Sequence, residues 1–233
     1  MAKTSTAKKA PSPSKPVTTK QVVDWVRDRI RVGKFVPGQR LVEADIIKAT
    51  AASRAKVRES LQRLETEGLV VIEEYRGASV KIFTWEQVQE IYRTRSVLEG
   101  LAAAEFAAKN DPEGKKQLQV LQDALNSMDD TGDHQRFAQL NSQWHNLIIE
   151  RSGNEYLRLF LTQLSVPIYR LLFSTFYSSK RIEAANTDHQ RITAAIVAGK
   201  ADKAEEAMRE HISQGLRAIS EIDSQFFGEG PGT

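Results

Sequence analysis

The 233-residue sequence predicts a mostly α protein in two parts: a small N-terminal unit of three helices closed by a β-hairpin, and a C-terminal all-α bundle of six helices. Three observations predict this. Strand-like alternation is confined to Val70-Val71-Ile72 and Val80-Lys81-Ile82, whereas helical periodicity runs almost unbroken from Thr84 onward. Charge divides at the same place: residues 1–83 hold 17 Lys+Arg against 9 Asp+Glu, a net +8, and residues 84–233 hold 16 against 21, a net −5. A composition of 40% hydrophobic and 27% charged residues is that of a globular chain, with no apolar run near the ~18 residues of a membrane span and no apolar signal core. The chain is therefore expected in the cytoplasm, with no membrane partner. The absence of cysteine excludes disulfides, thiol nucleophiles and Cys-ligated metals.

The elements follow in order. Residues 1–17 form a basic arm rich in Ala, Ser, Thr, Pro and Lys, expected to be disordered because little in it can be buried. Thr18-Thr19-Lys20-Gln21 has capping-box spacing, and Val22, Val26 and Ile30 recur every fourth residue, which predicts a first helix ending by Gly33. Pro37-Gly38 is a turn, a short helix spans about Glu43 to Lys48, and Ser53 caps a third with Val57, Leu61 and Leu64 on its buried face. Gly68 stops that helix, and the two strand-like runs, joined by Glu-Glu-Tyr-Arg-Gly, make the hairpin. Residues 18–83 thus read as a winged helix-turn-helix.

Beyond it, Thr84-x-x-Gln87 caps a helix to about Lys109, and Asp111-Pro112-Glu113 opens a second. Gly132-Asp133 opens the third, Gly153-Asn154 separates it from the fourth, and Gly199 lies between the fifth and sixth. Pro167 is expected to kink or break the fourth. The bundle domain spans residues 84–228, with a frayed tail over 229–233.

In a helix-turn-helix the third helix enters the major groove, its first residues facing base edges and others holding phosphates. Here it begins Ser53-Arg54-Ala55-Lys56-Val57-Arg58. Arg54 and Arg58, four apart, share a face while Val57 and Leu61 point to the core, so the cationic face is outward, and an arginine can grip a guanine edge with two hydrogen bonds or neutralise a phosphate. Arg76-Gly77, at the hairpin tip, suits either backbone approach to the minor groove or turn geometry alone. The expected partner is double-stranded DNA.

In the bundle, polar residues fall in phase with apolar stripes. Asn141 and His145 share a face with Phe137 and Ile148; His189 lies with Ile182, Ile192 and Ile196; His211 lies with Ala204 and Met208. Three of the four histidines therefore point inward, whereas His134, at a helix start, is expected at the surface. Either these are hydrogen-bonded core residues, or three imidazoles and an amide converge on a divalent metal, which three imidazoles suit as zinc, nickel, copper or iron. Arg95 lies on the stripe Ile91, Leu98, Ala102 and needs an anion, either Glu99 four residues on or the carboxylate of a bound ligand. A hydrolytic use of such a metal lacks an inward carboxylate to act as base, since Glu150 and Glu183 lie off the stripe, so the chain is not expected to be an enzyme.

The residues also resemble a known family. Val36-Pro37-Gly38-Gln39-Arg40-Leu41-Val42-Glu43, Ala52-Ser53-Arg54-Ala55-Lys56-Val57-Arg58-Glu59-Ser60-Leu61, Glu67-Gly68-Leu69-Val70 and Arg76-Gly77-Ala78-Ser79-Val80 resemble the winged helix of GntR-family transcription regulators. Tyr92 through Gly100, Asn141 through Leu147 with Ser152-Gly153-Asn154, and His189 through Gly199 to His211 resemble the FadR-type C-terminal ligand domain, called FCD. The resemblance implies a homodimer on a short palindromic operator, with Ser53, Arg54, Lys56, Arg58 and Gly77 on DNA. It implies a zinc, nickel or similar ion on Asn141, His145, His189 and His211, and a small organic acid completing the shell and reaching Arg95. Three positions depart from the pattern: Ala44 and Lys56 alter the expected DNA contacts, and Asn141 replaces an Asp, which removes a ligand charge. The function implied is a repressor released by a carboxylate effector. The alternative is a constitutive DNA-binding protein whose bundle only dimerises.

Overall fold

The structure, a computed structural model, describes residues 17–31, 33–128, 133–164 and 179–223. Among these, α1 (Thr19–Arg31) begins where the cap spacing puts it: Gln21 N–H donates to Thr18 Oγ1 and Thr18 N–H to Gln21 Oε1. β1 (Arg40–Leu41), α2 (Glu43–Thr50) and α3 (Arg54–Thr66) follow, then β2 (Val70–Glu73) and β3 (Gly77–Val80). The core here gathers Val22, Val26 and Ile30 of α1, Ile46 of α2, and Val57, Leu61 and Leu64 of α3 against Leu41, Val70, Ala78 and Val80. Each such aliphatic burial contributes about 1.5–3 kcal/mol.

The sheet differs from the expected hairpin. It has three strands in the order β1-β3-β2, antiparallel throughout, with Val70 opposite Val80 and Arg40 opposite Ser79. The second hairpin strand is Gly77–Val80 rather than Val80–Ile82. Ala78 and Val80 supply its buried face, while Ile82 is left 67% exposed. The alternation Val80-Lys81-Ile82 runs past the end of β3, where only the Lys81 N–H still bonds across, to the Leu69 carbonyl at 3.0 Å.

The bundle comprises α4 (Trp85–Ala108), α5 (Pro112–Asn126), α6 (His134–Ser152), α7 (Glu155–Gln163), α8 (Ser179–Val197) and α9 (Ala201–Asp223). Thr84 and Gln87 form a full capping box at α4; Asp111 and Asp133 cap α5 and α6, and Asn154 caps α7 after Gly153 ends α6 in the left-handed region. Helix α4 runs along α9 and also meets α6, α7 and α8. The approach of α4 to α9 is close at Gly100, where a Cβ would fall 2.8 Å from Arg209 Cγ. Phe106, Leu118, Leu125, Phe137, Trp144, Ile148, Ile192, Ile196 and Met208 fill the centre. The arm before Val17, the kink expected at Pro167 and the tail from 229 lie outside the described residues.

Candidate functional site

Ser53 accepts the Lys56 N–H at the start of α3, so the helix begins at the residue that carries the first arginine. Arg54 and Arg58 leave α3 on one exposed face, and the structure places a residue that sequence reasoning missed between them. Glu43 Oε1 accepts from Arg58 Nε at 2.9 Å, and its Oε2 lies 3.9 Å from Arg54 Nε. Both arginines stay more than 60% exposed, so these pairs are worth at most about 1 kcal/mol each and yield readily to another anion. Lys56 points elsewhere: its ammonium donates to the Val17 carbonyl, while Ser60 Oγ donates to Thr19 O and Thr19 Oγ1 to Glu59. Lys56 thereby ties the start of α1 to α3. Gly77 opens β3 at φ +84°, with the Arg40 guanidinium 3.9 Å from where a Cβ would stand.

In the bundle, α6, α8 and α9 bring His145, His189 and His211 together, with one candidate ligand atom from each lying within 4.8 Å of the others. His189 Nε2 and His211 Nε2 are 3.2 Å apart. Metal–nitrogen bonds of ~2.1 Å give ligand separations of about 3.0–3.4 Å in octahedral or tetrahedral shells, so this pair already has the spacing of two ligands of one ion. His189 is fully buried and His211 nearly so.

The second ring nitrogens explain the orientation. Glu99 Oε2 lies 2.8 Å from His145 Nδ1, and Asp188 Oδ2 lies 3.4 Å from His211 Nδ1. Burial pushes the Glu99 carboxyl upward, but the charges and hydrogen bonds of Arg95 and His145 outweigh it and hold it at about 2. Ionised Glu99 can only accept, so His145 donates to it through Nδ1–H, and the tautomer that this bond selects is the one whose Nε2 could hold a metal. Burial lowers the His211 pKa, with Asp188 opposing and His145 reinforcing, which favours the neutral ring that coordination needs. The donor set thus fits a divalent transition metal. Asn141 stands one turn before His145 on α6, half-buried.

Trp144 backs the cluster, its ring centroid 4.5 Å from that of His189 and 4.9 Å from that of His145. Its Nε1–H donates to Thr193 Oγ1 at 3.0 Å, Thr193 donates to Gln122 Oε1, and Gln122 donates to Asn186. Arg95 reaches Glu99 Oε1 through Nε at 2.9 Å and Nη2 at 2.6 Å and lies over the Tyr92 ring, with 19% of its side chain exposed. The expected Arg95–Glu99 pair is present, and its carboxylate serves His145 as well. His134 is the first residue of α6, and its side chain lies outside the described structure.

Between the two parts, Asp24, Arg27 and Asp28 of α1 and Leu69 face Asn146, Ile149 and Glu150 of α6 and Arg158, Leu161 and Thr162 of α7 across a cleft of about 470 Å³. Helix α6 therefore carries His145 at the imidazole cluster and Asn146, its next residue, at the cleft.

A winged helix presenting two arginines, joined to an all-α domain, defines a DNA-binding transcription regulator. The family model described as "Bacterial regulatory proteins, gntR family" matches residues 18–80, and that described as "FCD domain" matches residues 90–214. The chain belongs to the GntR family and carries an FCD domain; the family and the curated relatives are regulators, not enzymes. It is 28% identical over 197 residues to the uncharacterized HTH-type transcriptional regulator YdhC of Bacillus subtilis, covering 82% of this chain and 84% of that one. It is 26% identical over 200 residues to a probable D-xylose utilization operon transcriptional repressor of Paenarthrobacter nicotinovorans, covering 86% and 88%. The solved structure of E. coli McbR/YncC shares the fold, with a TM-score of 0.79 at 23% identity over 88% of this chain and 97% of that one. Among the described residues, no helix is long and apolar enough to cross a membrane.

Proposed function

We propose that this regulator is a cytoplasmic repressor that holds a palindromic operator as a homodimer and releases it when a small organic acid binds at a metal centre in the bundle. Residues 18–83 form the DNA-reading domain, with Ser53, Arg54, Arg58 and Gly77 at the duplex and Lys56 steadying the helix that carries them. Residues 84–228 form the responding domain. The observation that carries the reading is the imidazole cluster: three histidines from three helices, two of them held through Nδ1 by carboxylates. His145, His189 and His211 would hold zinc or nickel, with Asn141 as the fourth ligand. The ion would supply a Lewis-acidic anchor for the effector carboxylate.

Arg95 lies at the same cluster through Glu99 and supplies a second cationic contact. A ligand shifts an equilibrium only by its differential affinity for the two states. A carboxylate bound between the metal and Arg95 draws on the Arg95–Glu99–His145 chain, and α6 conveys the change to the cleft facing α1. The test is operator binding by the purified chain with and without chelator, against a panel of small organic acids, beside metal analysis. His189→Ala is expected to keep operator binding and lose the acid response. Affinity insensitive to every acid and to chelator would establish the constitutive reading instead.

A further inference from the structure

The basic arm at the start of the chain has no part in the function proposed above. The sixteen residues before Val17 hold four of the 17 Lys+Arg and none of the nine Asp+Glu of residues 1–83. Half of that region's net +8 therefore lies on Lys3, Lys8, Lys9 and Lys15. In the winged helix itself, five cations already face carboxylates: Lys20 and Arg27 share Asp24, with Glu67 also on Arg27, Glu43 meets Arg54 and Arg58, and Glu73 meets Arg76. The arm has no acid of its own to offset its charge.

The place at which the arm joins the domain is fixed by three hydrogen bonds. Lys56 Nζ donates to the Val17 carbonyl, Ser60 Oγ to the Thr19 carbonyl, and Thr19 Oγ1 to Glu59 Oε2 at 2.9 Å. The chain thus enters along one flank of α3, whereas Glu43 of α2 meets the other flank at Arg54 and Arg58. Exposed Ala55 and Gln62 lie between the two flanks on the helical turn. The arm therefore starts at the rim of the outward face of α3 that carries the two arginines.

We propose that residues 1–16 are a phosphate-binding arm, directed by the Lys56 tie along the DNA backbone beside the half-site read by α3. The proposal rests on the reading of residues 18–83 as the DNA-docking part. A duplex that takes α3 into its major groove carries its sugar–phosphate strands past the flanks of that helix, so the nearest polyanion to Val17 is DNA backbone. At no more than about 3.3–3.6 Å per residue, Lys15 stays within about 7 Å of Val17, and Lys3 can reach out to about 50 Å. The four lysines can thus cover phosphates from the edge of the half-site to about one helical turn beyond it. An ammonium is a compact point charge, suited to phosphate rather than to the paired acceptors of a base edge. The arm accordingly strengthens binding to any duplex and leaves the choice of sequence to α3.

The test uses the full chain, a duplex that it selects from a random-sequence library, and a scrambled duplex of the same length. One variant combines Lys3→Gln, Lys8→Gln, Lys9→Gln and Lys15→Gln, which keeps the arm's length and removes its side-chain charge. Each phosphate neutralised contributes about 0.9 to the slope of log K against log salt, so that slope is expected to fall by about 3–4 for each arm engaged. Affinity at about 0.1 M salt is expected to fall about tenfold or more, by the same factor on both duplexes and at unchanged Tm. Arginine at the same four positions is expected to restore binding. Affinity within about twofold of the parent, or a slope change below about 1, overturns the proposal. So does a loss confined to the selected duplex, a loss that arginine leaves in place, or one accompanied by a lowered Tm. If the parent chain selects no duplex from the library, the reading of residues 18–83 fails. If it selects one and the glutamine variant binds that duplex as the parent does, only the arm proposal fails.

Discussion

Glu99 offers a direct test of the bundle's internal logic in the metal-stripped protein. It is 2% exposed and accepts from both Arg95 and His145, so Glu99→Gln keeps the shape while removing the charge that balances a largely buried guanidinium. Removing one partner of a buried pair costs about 3–5 kcal/mol, and the 19% exposure of Arg95 places the change at the lower end. A carboxyl brought from 4.5 to about 2 on folding is linked to about 3 kcal/mol. Because the folded-state pKa is depressed, this stabilisation is present above the unfolded value and is lost as pH falls from about 4.5 toward 2. Urea unfolding in the presence of chelator is therefore expected to show the variant about 3 kcal/mol weaker at pH 7, with the gap closing across that acid window. The corresponding fall in Tm is about 6–12 °C. Replacing both partners, as Arg95→Met with Glu99→Leu, should recover much of the loss. A difference at pH 7 below about 1 kcal/mol, or one that does not narrow on acidification, would refute the claim that Glu99 is an ionised, doubly held group.

Three further expectations follow from the same contacts. Thr193→Val strands the buried Trp144 N–H and should cost about 1–3 kcal/mol, read by urea unfolding, with the indole fluorescence shifting as the ring loosens. Arg54→Ala should weaken operator binding by about tenfold or more at unchanged Tm, whereas Lys56→Met should lower Tm by freeing the Val17 carbonyl; calorimetry beside a binding assay separates the two. Chelation should lower the Tm of the metal-loaded protein and leave that of His189→Ala unmoved, an equal shift in both arguing against the imidazole centre.

Local chemistry was legible in the sequence wherever the relevant contact was local. Ser53, Thr84, Asp111, Asp133 and Asn154 announce helix starts because a cap bonds to N–H groups two or three residues away. The inward phase of His145, His189 and His211 was legible because helical period fixes which face is buried, and the structure gathers all three. What a face meets is another matter. That Glu99 reaches His145, 46 residues on, depends on how α4 crosses α6, and neither period nor spacing encodes that crossing. Lys56 shares the basic run of the recognition helix, yet its partner is a carbonyl 39 residues earlier. β1 escaped notice because two residues carry no periodicity, and its pairing with β3 depends on tertiary context.

Glu43 bears on how such a protein searches a genome. By occupying Arg54 and Arg58 in the free chain, it sets an acid in competition with every phosphate those side chains encounter. The competition weakens a contact that offers charge alone more, in proportion, than one in which a guanidinium also meets a base edge in two directed hydrogen bonds. On the proposed reading of Arg54 and Arg58 as DNA contacts, random stretches of duplex would be let go sooner, and dwell time would concentrate where the sequence is right. A carboxylate beside these arginines, which looks like a defect in a basic surface, would then shorten the idle time between one candidate operator and the next.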